Sequence, residues 1–200
     1  MTVDPALTGA ARTYGEFLAA STLFSHEADG RRPVDRIKAA GYQPCSVSEN
    51  LAWRSDPRGF ETLALATQMV QGWKTSPGHR RNLLMEHAIE TGVAIVKARR
   101  EEKYFAVQLF ARPAALRYTF AVENRAERAV VYTLGDQETR LAPHQIMTHT
   151  ACQPVVVAIE TKPGGPLTKA VSARYEAKGG QVYRLSGAKG GDIAVEVGTK

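Results

Sequence analysis

The sequence predicts a mixed α/β unit followed by an all-β unit. Apolar residues recur at helical spacing through the first part of the chain, and a strand hairpin with a charged turn closes that part. Beyond Leu116 the period changes to short alternating segments between glycine-bearing turns. The change falls at Ala111-Arg-Pro-Ala-Ala115, so the expected domains are 1–112, an α/β sandwich, and 117–200, a small all-β sandwich-like domain.

Ala10, Tyr14, Phe17, Leu18 and Ser21 share one face of a helix running from about Ala6 to Leu23. Pro33 suits the first position of a short helix through Val34 and Ile37, which Gly41 closes in a left-handed cap. Leu63, Ala66, Val70 and Trp73 mark the buried face of a third helix, Phe60 to Trp73. Ser76 is the expected N-cap and Pro77 the first residue of a fourth, ending near Leu84. Val93, Ile95 and the run Tyr104 to Phe110 form the hairpin, with Arg99 to Lys103 as its turn. In the second unit, strands are expected at 118–123, 130–134, 155–160, 171–175, 182–185 and 193–197. Gly135-Asp136, Pro163-Gly-Gly165, Gly179-Gly180 and Gly190-Gly191 supply turns.

The chain has 200 residues, 44% of them hydrophobic, enough for a sizeable core. It contains no apolar run of membrane-spanning length, and Met1-Thr-Val-Asp-Pro lacks the regions of a signal peptide. The net charge of +6 favours anionic partners such as a cell-envelope surface. Arg31-Arg32, Arg80-Arg81 and Arg99-Arg100 are scattered and not interleaved with aromatics, which argues against a specific nucleic-acid groove. Cys45 and Cys152 are too few for a disulfide framework or a zinc knuckle; a bridge is open to them in an oxidising compartment, but two free, partly buried thiols are the preferred reading.

Two of the five histidines sit in informative settings, Phe24-Ser-His26-Glu-Ala-Asp-Gly30 and Ser76-Pro-Gly-His79-Arg-Arg-Asn-Leu83. His79 stands third in its expected helix, where exposed amides disfavour the imidazolium and leave the neutral ring that a metal or a general base requires. Between them, Ser48-Glu49-Asn50-Leu51-Ala52-Trp53 reads either as a carboxylate entering a cleft beside a loop tied down by Asn50, or as a helix cap or exposed charge. His144 and His149 are five apart, face opposite sides in a strand, and do not count as a metal site.

The order of these pieces carries a resemblance. Phe-Ser-His26 with Asp29-Gly30, Arg36 with Ala40-Gly41-Tyr42, Glu49-Asn50-Leu51-Ala52, Trp73, Ser76-Pro-Gly-His79-Arg with Asn82-Leu83-Leu84, and Thr91-Gly-Val93 resemble the successive signatures of bacterial CAP domains. That superfamily includes cysteine-rich secretory proteins, antigen 5 and pathogenesis-related proteins, and the likeness spans about residues 6 to 110.

The resemblance implies an α-β-α sandwich with an open cleft where two histidines and one or two carboxylates converge. By matching motifs these are His26, Glu49 and His79, the expected ligands of a divalent metal, zinc, with Ser76 also lining the cleft. Eukaryotic relatives carry a second glutamate three residues beyond the tryptophan; here that place is Ser76, so the tetrad is incomplete, and neither Glu27 nor Glu86 fits the motif. The first helix of the family is expected to be missing, and the family implies a secreted or periplasmic location.

Three functions are open: a binding module for an unknown ligand or partner, a metal-dependent hydrolase acting on peptide or cell-wall bonds, and an adhesive or structural protein acting through the β domain, for which the sequence names no candidate residue. The chain has no His-Glu-x-x-His helix and no Gly-x-Ser-x-Gly elbow, and Cys45 has no neighbouring base. Binding is therefore preferred over catalysis.

Overall fold

The computed structural model describes residues 1–162, 164 and 170–199, and these form two units, Met1–Leu116 and Arg117–Lys200. Unit 1 runs β1 (Thr2–Val3), α1 (Pro5–Ala20), α2 (Pro33–Ala39), β2 (Pro44–Ser55), α3 (Thr62–Thr75), α4 (Pro77–Leu83), β3 (Glu90–Lys97) and β4 (Lys103–Pro113). Its four strands lie in the order β1-β3-β4-β2, antiparallel except for the β1–β3 pair.

Strand alternation divides the core between two faces of this sheet. Leu51, Phe105, Val107, Leu109 and Ala111 pack with Leu7, Ala10, Ala11, Tyr14 and Leu18 of α1. Ala106, with the partly buried Ala52 and Tyr104, packs with Leu65, Met69 and Trp73 of α3. At Gly92 a Cβ would lie 2.2 Å from the Leu7 carbonyl carbon, so only glycine lets the α1 backbone approach β3 this closely.

Local signals explain the helix boundaries. Asp4 caps α1 by accepting from the Leu7 amide at 2.9 Å, with Pro5 in the first turn, and the helix stops at Ala20, short of the expected Leu23. Gly41 ends α2 at φ +90°, while the Gly41 and Tyr42 amides bond back to the Lys38 and Ile37 carbonyls, the Schellman pattern.

Two expectations need correction. The buried stripe of α3 is Leu65, Met69 and Trp73, whereas Leu63 and Val70 are exposed. Both stripes have helical spacing and share Trp73, so periodicity could not choose between them. The segment around Glu49 is neither loop nor helix cap but part of a twelve-residue strand. Its serines, glutamate and asparagine hid the alternation, because their polar groups are met by side chains from other elements.

Unit 2 consists of β5 (Tyr118–Asn124), β6 (Val130–Leu134), β7 (Gln137–Leu141), β8 (Ile146–Ala151), β9 (Val156–Lys162), β10 (Val171–Glu176), β11 (Gln181–Gly187) and β12 (Ile193–Thr199). They form two four-stranded sheets, β10-β9-β6-β7 and β12-β11-β5-β8. Phe120, Val122, Tyr132, Val157, Ile159, Tyr183 and Leu185 form one core with contributions from both sheets. All six segments read from the sequence are strands, and β7 and β8 are additional, their mixed polar sequences giving no clean apolar face. Of the turn Pro163-Gly-Gly165, Pro163 and Gly165 lie outside the described residues.

His144 and His149 keep separate company. His144 bonds to Glu127 at 3.3 Å, and His149 to the Tyr132 hydroxyl at 2.7 Å. The cysteines depart from expectation: both Cys45 and Cys152 are disulfide-bonded, and neither is a free thiol.

Candidate functional site

The site is organised by Arg36 on α2. Its guanidinium lies 3.4 Å from the Tyr14 ring centroid, donates to the His26 and Arg31 carbonyls, and pairs with Asp29 at 3.0 Å and Glu49 at 2.8 Å. Every one of those partners lies on a different part of the chain from α2, so one buried cation fastens the 26–31 loop to β2. Tyr14 reinforces the loop by donating to the Ser25 carbonyl and accepting from the Ala28 amide. Burial raises the Tyr14 hydroxyl above its ordinary pKa, which keeps it a donor.

Glu49 is almost wholly enclosed, its side chain 1% exposed. One carboxylate oxygen accepts from Arg36 and the other faces His26 Nδ1 at 2.8 Å. This hydrogen bond raises the His26 pKa, against the opposing effect of burial. The His26 ring is half exposed, and its Nε2 has no partner among the described residues.

On the opposite side, side-chain amides pin α4 to β2. Asn50 donates to the His79 carbonyl at 3.2 Å, while Asn82 donates to the Asn50 side-chain oxygen at 2.9 Å and to the Glu49 carbonyl at 3.2 Å. The Trp73 indole donates to the Leu51 carbonyl at 3.0 Å. These bonds hold His79 beside the sheet. Its pKa is lowered, first by burial and then by the charge of His26, so His79 is a neutral ring whereas its neighbour is drawn toward protonation. Burial and the charge of His26, rather than the helix amides, are what lower it.

Ser76 is the N-cap residue of α4 by position, but its hydroxyl makes no capping bond. It lines, with His79, a cleft of about 510 Å³ whose walls include Phe24, Leu51, Trp53 and Trp73. His26 and Glu49 are thus joined by a hydrogen bond, and Ser76 and His79 by a shared cleft wall. Glu27 and Glu86 are exposed; Glu27 bears on the site only through its charge, a minor cause of the raised His26 pKa.

The chain also matches known proteins. The model of the cysteine-rich secretory protein family, CAP, matches residues 1–110. The chain belongs to this family. Two solved structures are similar to it. One is an outer surface protein from Borrelia burgdorferi, 23% identical, with 56% of this chain and 77% of that chain covered and a TM-score of 0.48. The other is an extracellular protein containing a SCP domain from Bacillus anthracis str. Ames, 25% identical, with 56% of this chain and 33% of that chain covered and a TM-score of 0.44. No curated protein matches.

Within this CAP domain, sequence reasoning singled out His26, Glu49, His79 and Ser76 but gave no role to Arg36, Asp29 or Asn82. Their signal was present, since all three stand inside the motifs that carry the family resemblance. Among the described residues no group of three or more His, Cys, Asp or Glu side chains is arranged to hold a metal ion. Both Glu49 oxygens are engaged, one by a full guanidinium charge, so Glu49 stands behind His26 rather than as a third open donor. Among the described residues no helix is long and apolar enough to cross a membrane.

Proposed function

We propose that this chain is an extracytoplasmic CAP-family binding module whose ligand enters the cleft beside β2. His26, oriented by Glu49, and the neutral His79 with Ser76 provide its polar contacts. The observation that carries this reading is an open, largely apolar cleft lined by Ser76 and His79, with His79 within reach of the charge of His26, itself held by a buried charge cluster whose members are all paired. Such a cluster is costly to assemble and rigid once made, which suits a surface that must present fixed hydrogen-bonding groups. The disulfide-bonded cysteines support an oxidising compartment as the site of action.

A divalent metal, if bound, would rest on the imidazoles of His26 and His79, with Glu49 orienting the former; it would supply Lewis acidity. The hydrolase reading draws support from the opposite pKa shifts of the two histidines, the usual arrangement of an acid and a base.

Thermal-shift screening of cell-envelope glycans, lipids and peptides, with and without zinc, tests the binding reading on the wild type and on His26→Ala and His79→Ala. A cleft ligand raises the wild-type melting temperature by mass action, and both variants weaken the shift. A stabilising ligand indifferent to both substitutions would sink the reading. The hydrolase alternative requires turnover of a peptide or wall substrate that both variants abolish.

A further inference from the structure

The outward edge of β2 adds a detail to the cleft that no side chain provides. In an antiparallel pair, alternate residues turn both backbone groups toward the neighbour and the residues between turn both away. The Asp56 amide bonds to the Glu102 carbonyl at 3.2 Å, continuing the β2–β4 ladder and assigning the even-numbered residues of β2 to it. Glu49, Leu51 and Trp53 therefore face outward. Their carbonyls agree with that assignment, because each accepts from a side chain: Asn82 at 3.2 Å, the Trp73 indole at 3.0 Å and Arg54 at 2.8 Å.

By that alternation the N–H groups of Leu51 and Trp53 point away from β4, and no turn, loop or side-chain acceptor meets them among the described residues. An edge donor that its own sheet leaves unpaired is free to meet an acceptor brought from outside. Both residues line the cleft, so the edge presents donors while its carbonyls are already occupied. A ligand that suits it must bring acceptors. Successive outward donors on a strand are two residues apart, about 6.6–6.8 Å, and an extended peptide presents its same-side carbonyls at that same repeat. The half-exposed rings of Trp53 and Phe24 offer apolar contact for its side chains.

We propose that this edge of β2 receives an extended peptide, which accepts hydrogen bonds from the Leu51 and Trp53 amides and packs side chains on Trp53 and Phe24. The proposal rests on the reading of the cleft as a binding site. It differs from ordinary strand addition, which uses edge carbonyls as well as edge amides, because here Asn82, Trp73 and Arg54 have taken the carbonyl side.

The test is amide NMR on the ¹⁵N-labelled full chain, titrated with a pool of N-acetylated, C-amidated pentapeptides carrying apolar residues at alternate positions, and separately with an N-acetylglucosamine oligomer. With the peptides, the Leu51 and Trp53 amides shift saturably and exchange with solvent at least about tenfold more slowly. Trp53→Ala and Phe24→Ala each weaken the apparent affinity without abolishing the folded spectrum. Movement of the Trp73 indole or His79 signals, with the Leu51 and Trp53 amides unmoved, overturns the peptide edge but leaves the cleft a binding site. Shifts of those two amides with the oligosaccharide alone also overturn the peptide. If the peptides move only signals of unit 2, both the edge and the cleft are refuted as their site.

Discussion

The two units bury polar groups for different ends. Among the described residues, unit 1 buries Arg36, Glu49 and Asn50, while unit 2 buries Asn124. Asn124 donates to the Arg128, Leu141 and Ala142 carbonyls and accepts from the Ala126 amide, so all its bonds go to backbone. It closes a turn and presents nothing outward. The polar groups of unit 1 instead lead, through the His26–Glu49 bond and the Asn50–His79 bond, to two histidines, of which His79 lines the cleft. Buried polarity in unit 2 is a fold device; in unit 1 it is also the scaffold of a site.

The largest effect expected from this difference is at Arg36. Arg36→Met leaves Glu49 and Asp29 without their shared buried cation, and removing one partner of a buried pair costs about 3–5 kcal/mol. Urea denaturation measures it, and a loss below about 1 kcal/mol would mean that the cluster does not hold the loop. Asn124→Ala is expected to cost less, about 1–3 kcal/mol for backbone groups left unpaired, and to leave cleft resonances unmoved. If it disturbs His26 or His79, the separation of roles between the units is wrong.

Asn82→Ala should be milder still, about 1 kcal/mol, yet it should loosen α4 from β2 and speed amide exchange there. Unchanged protection in α4 would assign its position to packing alone. The smallest effect is in pH dependence, where His26 and His149 should contribute in opposite senses. The raised His26 pKa contributes stability present below about pH 6.5 and lost as pH rises through its folded value. Burial lowers His149, so its contribution is present above about pH 6.5 and lost as pH falls through its folded value. The His26 contribution is small, about the size of an exposed pair at a few tenths of a kcal/mol, because its ring is half exposed. Amide exchange followed across this range in β2 of a His79→Ala background, which removes the opposing shift there, and in β5 of the wild type checks the signs, and parallel trends would refute them.

Much of this was legible in the linear chain because it depends on local chemistry. Pro33 and Gly41 delimit α2, Pro77 opens α4, and glycine turns separate the strands of unit 2. Motif order was equally local, and it picked out His26, Glu49, Ser76 and His79 before any contact was known. What failed was the choice of a helix face on α3, the strand at Pro44–Ser55 and the state of the cysteines. Each of these is decided by what lies opposite rather than by what lies adjacent.

The sequence by itself determined the order of the elements, the change from helical to alternating period, and the residue types at the cleft, since caps, turns and periodicity act over a few residues. Only the tertiary structure decided that Leu65 rather than Leu63 is buried, that Arg36 unites His26, Asp29 and Glu49, and that the outward carbonyls of β2 are engaged while two of its amides are not. Those outcomes come from pairings between residues far apart in the chain, whose energies depend on burial and on the partner supplied by another element, and neither quantity is written in any local run of the sequence.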